Sequence, residues 1–238
     1  PDARTILLEQ NYRSTQTILR AANAVIARNE KRREKNLWSQ SGDGARIVGY
    51  VGDNEHDEAS FVARTIDRLG DEHGIRPGDV VAVSGPIGDH GIAVLLAREE
   101  FEIRGDVRSD CGHVIDLARA AMTLDGLRFM RDPTRAGLAG VAWEISRHAG
   151  VTVRLRQADV PVRDSVQMVC EMLGYDPYYL ACEGRVVAVV AAEQAPALVA
   201  AWRALPEGAG AALIGAIEAG APRIVLETAI AGQRILDD

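Results

Sequence analysis

Four short stretches hold residue types and spacings that could do chemistry. "GPIGDHG" at 85–91 sets three glycines, an aspartate and a histidine between an apolar run and an amphipathic one. Glycine turns before helices cradle phosphates when their backbone N–H groups converge on one point. This turn lacks the GxGxxG spacing, contains Pro86 and is followed by no Lys-Ser/Thr pair, so by itself it is a weak cradle. Asp89 reads instead as the cap of the following helix, and His90 as a structural histidine. "RDPTRAG" at 131–137 precedes a helical pattern, and Pro133 suits a first helical turn, where a missing N–H costs nothing. "ACEGR" at 181–185 leads into an apolar strand, and "EQNYRST" at 9–15 leads into a helix.

The cysteines do not form a metal or disulfide framework. Cys111, Cys170 and Cys182 have no CxxC or metal-like spacing, which fits reduced thiols of a cytoplasmic protein. Cys111 and Cys170 read as small apolar filler on helices. His113 and His148 lack a partner at ligand spacing and are expected to face solvent. No metal site is predicted.

The elements that must hold these residues alternate. "TILLEQNY" is a candidate strand. "STQTILRAANAVIARNEKR" is a helix that Ser14 or Thr15 can cap, with Ile18, Leu19, Ala22, Val25 and Ile26 at helical spacing. "RIVGYV" is a second strand. The helix after it has acids in its first turn, an apolar stripe of Phe61, Val62, Ile66 and Leu69, and Gly74 at its end. "DVVAVSG" is a third strand. Residues 4–84 therefore predict a parallel α/β sheet with two helices. Beyond them come helices over "SDCGHVIDLARAAMTLDG", "PTRAGLAGVAWEISRHAG", "RDSVQMVCEMLG" (closed by Gly174) and "EQAPALVAAWRALP". The strands there are "LRFMRD", "VTVRLRQADVPV", "RVVAVVAA", "AALIGAIEAG", "RIVLETA" and "GQRILD". "RVVAVVAA" is apolar without a break, as a central strand is.

Totals set outer limits. The 238 residues are 47% hydrophobic and 26% charged, ordinary for a globular protein. No apolar run reaches membrane-spanning length. The first residues lack an initiator Met and a secretory signal, which predicts a fragment or a processed start. Charge is balanced up to Gly78, and the net −7 falls on the remainder, which argues against a nucleic-acid surface there. The run "EKRREK" reads as a solvated helix end with i,i+4 pairs, contact with a phosphate backbone being its other reading.

Two resemblances follow from these residues. "LLEQNYRSTQTILRAANAVIARNEKRREKNLW" and "FVARTIDRL" resemble the start of domain 2A in the UvrD/PcrA family of superfamily 1 DNA helicases. "GDVVAVSGPIGDHGIAVLLAREE", "SDC", "LRFMRDPTRAGLA", "VPVR", "CEMLGYDPYYLACEGRVVAVV" and "ILD" resemble the C-terminal domain of HypE. That family comprises the carbamoyl dehydratases of nickel–iron hydrogenase maturation, within the PurM-like superfamily. The expected architecture is α/β, α+β in its C-terminal part: a helicase-like fragment at 1–77 and a HypE-like, PurM-type domain at 78–238. The join falls in "GIRPGDV", and the chain reads as a chimera.

The resemblances imply site residues. In the helicase part Tyr12 would stack on adenine and Arg13 would meet the γ-phosphate. In the HypE-like part Glu183 would be a proton acceptor. Asp132, Thr134, Arg135 and Gly137 would match a DxTRGG anion-binding signature, with Ala136 in place of one glycine and its methyl an obstacle to a positive φ. His90 would face an interdomain cleft. Both families use ATP and Mg²⁺, yet no cofactor is assigned to this chain, because GxxxxGK[ST] occurs nowhere in it. The cysteine-ending tail of HypE-like enzymes is not seen after "RILDD", and Cys182 beside a strand is no substitute for it. The expected reading is a maturation domain with HypF-like and HypC–HypD-like partners, a monomer or weak dimer, inactive by itself. A helicase-derived ATP- or DNA-binding module and a chimera without native activity remain the alternatives.

Overall fold

The computed structural model describes residues 6–30, 35–98, 107–228, 230 and 232–237. It divides into two compact units, Pro1–Thr65 and Ile66–Asp238.

In the first unit, helix α1 (Gln16–Ile26) follows the "EQNY" segment. Thr15 takes the N-cap position without a capping side-chain bond. The first free N–H groups, of Gln16 and Thr17, instead donate to the carbonyls of Gly42 and Asp43 at 2.8 and 3.2 Å. Asn23 behaves as a surrogate peptide: its amide donates to the Leu37 carbonyl at 2.8 Å and accepts from the Leu37 N–H at 3.2 Å. Helix α2 (Glu55–His73), whose residues up to Thr65 belong to the first unit and the rest to the second, is capped by Asn54, whose Oδ1 accepts from the N–H of His56 and of Asp57. Its acids sit in the first turn, and Gly74 follows its last residue, as expected. Of its apolar stripe, Val62, Ile66 and Leu69 are exposed. The middle of the "EKRREK" run, residues 31–34, lies outside the described residues.

Two expected strands of this part do not form, and with them the parallel sheet of residues 4–84. "TILLEQNY" contributes one isolated parallel bridge, Gln10 to Trp38. "RIVGYV" joins no ladder: Ile47, Val48 and Val51 are 60, 82 and 94% exposed, and Tyr50 instead stacks on Phe61 with ring centroids 3.9 Å apart. An apolar run becomes a strand only where neighbours accept its N–H and C=O groups. No such neighbour exists among the described residues of this unit.

The second unit is built on one seven-stranded sheet. In chain order its elements are β1 (Val80–Val83), α3 (Asp89–Arg98), α4 (Ile115–Met122), β2 (Leu127–Arg131), α5 (Gly137–Ala149) and β3 (Thr152–Arg156). They continue with α6 (Asp164–Leu173), β4 (Val187–Val190), α7 (Ala195–Arg203), β5 (Ala212–Glu218), β6 (Arg223–Glu227) and β7 (Gln233–Leu236). The strand order is β2-β4-β1-β5-β3-β6-β7. Only β3 and β6 pair in parallel. The α/β class with an α+β C-terminal part therefore stands, with a mostly antiparallel sheet.

Period-two alternation decides the layers. Val81 and Val83 of β1 and Val187 and Val189 of β4 face one side, against Leu138, Val141, Ala142 and Ile145 of α5. Ala82, Ala188 and Val190 face the other, against Leu117 of α4 and Leu198 and Trp202 of α7. β4 is buried throughout and lies between β2 and β1, the central place its unbroken apolar run predicts. A smaller cluster joins Ile92 of α3 to Val166, Val169 and Cys170 of α6. Pro133 does not open a helix, because α5 starts four residues later and the Pro133 carbonyl accepts from the Cys182 N–H at 3.1 Å.

Trp202 is fully buried, and its indole N–H donates to the Leu117 carbonyl at 2.9 Å, tying α7 to α4. Trp202→Ala should cost about 3–5 kcal/mol in denaturant unfolding, through the cavity it leaves. Trp202→Phe should recover more than half of that loss. Equal losses for the two variants would show that the hydrogen bond, not the ring volume, governs this layer.

Candidate functional site

The glycine turn, the 109–111 segment and the residues before β4 converge on Arg185. Arg185 is buried. Its Nε donates to the Pro86 carbonyl at 2.9 Å and its Nη1 to the Glu207 carbonyl at 3.1 Å. Two carboxylates flank it: Asp110 at 3.4 Å and Asp89 at 3.6 Å. Asp89, only 2% exposed, also accepts from Arg163 Nε at 2.9 Å. Asp110 Oδ1 accepts from the Glu183 N–H at 3.1 Å. His90 joins through its Nδ1, 2.9 Å from the Ser109 hydroxyl. A cavity of about 370 Å³ opens here, lined by Asp89, Arg108, Ser109, Asp110, Arg163 and Arg185. Burial pushes the Asp110 carboxyl above the usual carboxylate range, against the pull of the Glu183 N–H and Arg185.

Cys182 lies behind this cluster, wholly buried. Its sulfur accepts from the Gly88 N–H at 3.4 Å and lies 3.6 Å from the Leu180 carbonyl. Burial pushes its thiol up to about 12. Three of the turn's N–H groups are bonded within the protein: Ile87 donates to Pro161, Gly88 to Cys182 and Gly91 to Ala181. Those three groups are not free to cradle a phosphate of ATP.

The 132–137 segment lies beside Cys182, with Thr134 Oγ1 bonded to Asp132 and 3.5 Å from the Cys182 carbonyl. Gly137 has φ +59°, and a Cβ there would meet the Tyr178 and Leu180 carbonyls at 2.6 Å. Its glycine serves the close passage of the 178–180 backbone. Ala136 adopts φ 55°, so its methyl is no obstacle to the left-handed conformation. Arg135 points away, into a separate cavity with Trp143 and Arg147.

Residues 76–227 match the family described as AIR synthase related protein, C-terminal domain. The chain belongs to that family. Residues 6–82 match the UvrD-like helicase C-terminal domain, so the chain joins parts of two families. It is 44% identical over 169 residues to carbamoyl dehydratase HypE of Cupriavidus necator, covering 70% of this chain and 48% of that protein. It is 68% identical over 80 residues to ATP-dependent DNA helicase UvrD1 of Mycobacterium tuberculosis, covering 34% of this chain and 10% of the helicase. A chain in the crystal structure of a HypE–HypF complex matches with a TM-score of 0.67 at 37% identity, over 69% of this chain and 54% of that one. The crystal structure of HypE in complex with ATP matches with 0.65 at 35% identity, over 70% and 52%. The chain spans about half the length of the curated HypE relatives it matches.

Against this geometry the expected site residues separate. His90 and Glu183 reach the Arg185 cluster, Glu183 by its backbone. Asp132, Thr134 and Gly137 surround the Cys182 segment, while Arg135 does not. Tyr12 and Arg13 belong to the first unit, where Tyr12 is exposed and bonds Gln10 and the Arg13 N–H donates to Asn11. Asp89 is no helix cap: α3 begins at Asp89 itself, and its carboxylate turns to Arg163 and Arg185. Cys170 is buried in α6, but Cys111 is exposed in a loop, because the chain there is not helical. Asp110, Arg163 and Arg185 were missed. Their only local signal is membership of "SDC", "VPVR" and "ACEGR". Among the described residues no His/Cys/Asp/Glu group is arranged to hold a metal.

Native labelling with iodoacetamide should modify Cys111 and spare Cys170 and Cys182, whose thiols are pushed to about 11 and about 12. Rapid native labelling of Cys182 would contradict its burial. Asp110 tests the cluster. Its folded pKa is raised, so its contribution is fullest in acid and is lost as pH rises through the folded value. The stability of the wild type relative to Asp110→Asn should therefore fall as pH rises from the ordinary carboxylate range through the raised folded value. A difference that rises with pH would show that Arg185 outweighs burial.

Proposed function

We propose that residues 78–238 act as a HypE-type C-terminal domain and that residues 1–77 are a helicase 2A-type fragment, joined within "GIRPGDV". The overlap of the two family matches at residues 76–82 supports that join. In this reading the chain keeps the fold and the partner surface of a hydrogenase-maturation protein and does not carry out ATP-dependent dehydration alone. The observation that carries it is the state of the glycine turn and Cys182. The N–H groups of Ile87, Gly88 and Gly91 are bonded within the protein, and the thiol beside them is sealed at the base of β4. A thiol that accepts a carbamoyl group must be exposed and ionisable, and Cys182 is neither.

Glu183 is the acid-base group in this reading. Asp110 anchors its backbone N–H, so its carboxylate is presented from a fixed point. The partners are HypF-like and HypC–HypD-like proteins. A protein of this kind is known in a HypE–HypF complex. The chain is a monomer or weak dimer in the cytoplasm, with no nucleic-acid partner.

The purified chain, mixed with a HypF-type protein, should co-elute with it in size-exclusion chromatography and should not turn over ATP above background. ATP turnover by the chain alone would overturn the proposal. ATP binding lost on Arg13→Ala would move the function to the helicase-type unit. A folded chain that ignores HypF-type and HypC–HypD-type partners would leave only the fold of the maturation protein.

A further inference from the structure

The segment that leads into α4 is tied to the sheet end almost entirely through one side chain. Residues 107–114 form neither helix nor strand. Val107 packs against the small cluster of α3 and α6, and Val114 against the layer of α4 and α7, so both ends are pinned by apolar contact. Between these pins, residues 109–113 make no backbone–backbone hydrogen bond with another described residue. Asp110 holds them instead. Its Oδ1 accepts from the Glu183 N–H at 3.1 Å, and its carbonyl lies so close to Gly184 that no Cβ would fit there. The other polar tie joins the Ser109 hydroxyl to His90 Nδ1 at 2.9 Å. Cys111, Gly112 and His113 are exposed.

The carboxyl that makes the tie is poorly placed to carry a charge. The Asp110 side chain is wholly buried, and its Oδ2, 3.4 Å from Arg185 Nε, has no hydrogen-bond partner. Arg185 also faces Asp89, which is buried with its Oδ1 equally unpartnered. His90 and Arg185 favour an Asp110 charge, and Asp89 opposes it. Arg163 is engaged by Asp89 and is half in solvent. Cys182 adds no cation, and burial keeps it a thiol. Burial outweighs the attractions and holds the Asp110 carboxyl above the usual carboxylate range. With a proton on it, the cost of a buried charge disappears and the orphan oxygen can become a donor. Once out in solvent, the same carboxyl returns to its ordinary range. The docked form therefore binds the proton more tightly than the released form, and loss of the proton favours release.

We propose that residues 109–113 are a proton-operated cover on the Arg185 cavity, lying on the 183–184 backbone while the Asp110 carboxyl holds its proton and moving into solvent when it ionises. Arg108, Ser109 and Asp110 line that cavity, so release opens it. The cover does not rest on the maturation reading, because it needs only the contacts among these segments.

The probe is a nitroxide label on Cys111 of the full chain, followed by electron paramagnetic resonance. Cys170 and Cys182 are buried with thiols pushed to about 11 and about 12, and Cys111→Ser should take no label. The label should be restricted in acid and mobile in base, with far-UV circular dichroism unchanged. The ratio of mobile to restricted label should rise by up to about tenfold per pH unit between the ordinary carboxylate range and the raised value of Asp110, then level off. Asp110→Asn should stay restricted throughout, and Asp110→Ala, which lacks the tie to Glu183, should be mobile throughout. In the unlabelled wild type the Glu183 amide proton resonance should follow the same transition, which reads the tie without any variant. Constant mobility from about pH 4 to about pH 9 would overturn the cover. So would mobility that falls as pH rises, or a transition that coincides with loss of circular dichroism. A transition that Asp110→Asn retains would assign the titration to His90 or His113 and overturn it as well.

Discussion

Arg185 determines how the loops of the second unit meet. It enters β4 with its side chain turned back across the sheet end, where it holds the carbonyls of Pro86 and Glu207 and stands between Asp89 and Asp110. Three segments far apart in sequence, the 85–91 turn, the 109–111 segment and Glu207, are thus tied to one guanidinium. Only Arg can do this, because its planar fork offers donors in several directions while keeping its charge. The two carboxylates make it bearable to bury, and it does the same for them. Removing one partner of such a buried set costs about 3–5 kcal/mol, since the charge left behind loses its compensation. With two acids facing one buried base, the balance stays negative unless Arg163, half in solvent, is counted. That arrangement explains why the cluster opens to a cavity at this edge and why burial rather than attraction dominates at Asp110.

Close backbone contacts complete what Arg185 begins. Gly184 lies against Asp110 so tightly that a Cβ would fall 1.8 Å from the Asp110 carbonyl. The Glu183 N–H reaches Asp110 from the same side. Glu183, Gly184 and Arg185 thus make three different contacts with the 109–111 segment and the turn: an amide bond, a backbone approach and a charge. Gly137 does the same for the 178–180 passage. These glycines are occupied by protein rather than by ligand, which separates a structural glycine pattern from a phosphate loop.

The sequence showed the helices and most strands of the second unit because each carries its own periodicity, as the alternation of β1 and the unbroken run of β4 do. It misled in the first unit. "RIVGYV" has strand composition, but a strand is a relation between segments, and among the described residues no segment pairs with it. The site was half legible. Gly137 and Glu183 stand in patterned stretches. Asp110 and Arg185 are 75 positions apart, and single charges at that distance give no local signal. Asp89 was misjudged because an acid before a helical pattern looks the same whether it caps the helix or pairs with a buried arginine.

The two family matches overlap at residues 76–82, which take in the start of β1, and the position of that strand suits a change of parent there. β1 lies between β4 and β5 and pairs antiparallel with both, so most of what holds it is backbone bonding that does not depend on side chains. Just before it, the Gly78 N–H donates to the Ile217 carbonyl and the Asp79 carbonyl accepts from the Ile217 N–H, both at 2.8 Å. Those bonds set the register before any side chain of the strand is buried. What remains is a demand for β-branched residues on one face, met by Val81 and Val83, and a small one on the other, met by Ala82. Any parent with "GDVVAV" or a close equivalent satisfies this. The second unit therefore needs its first strand but makes no demand on which protein supplied the residues before it.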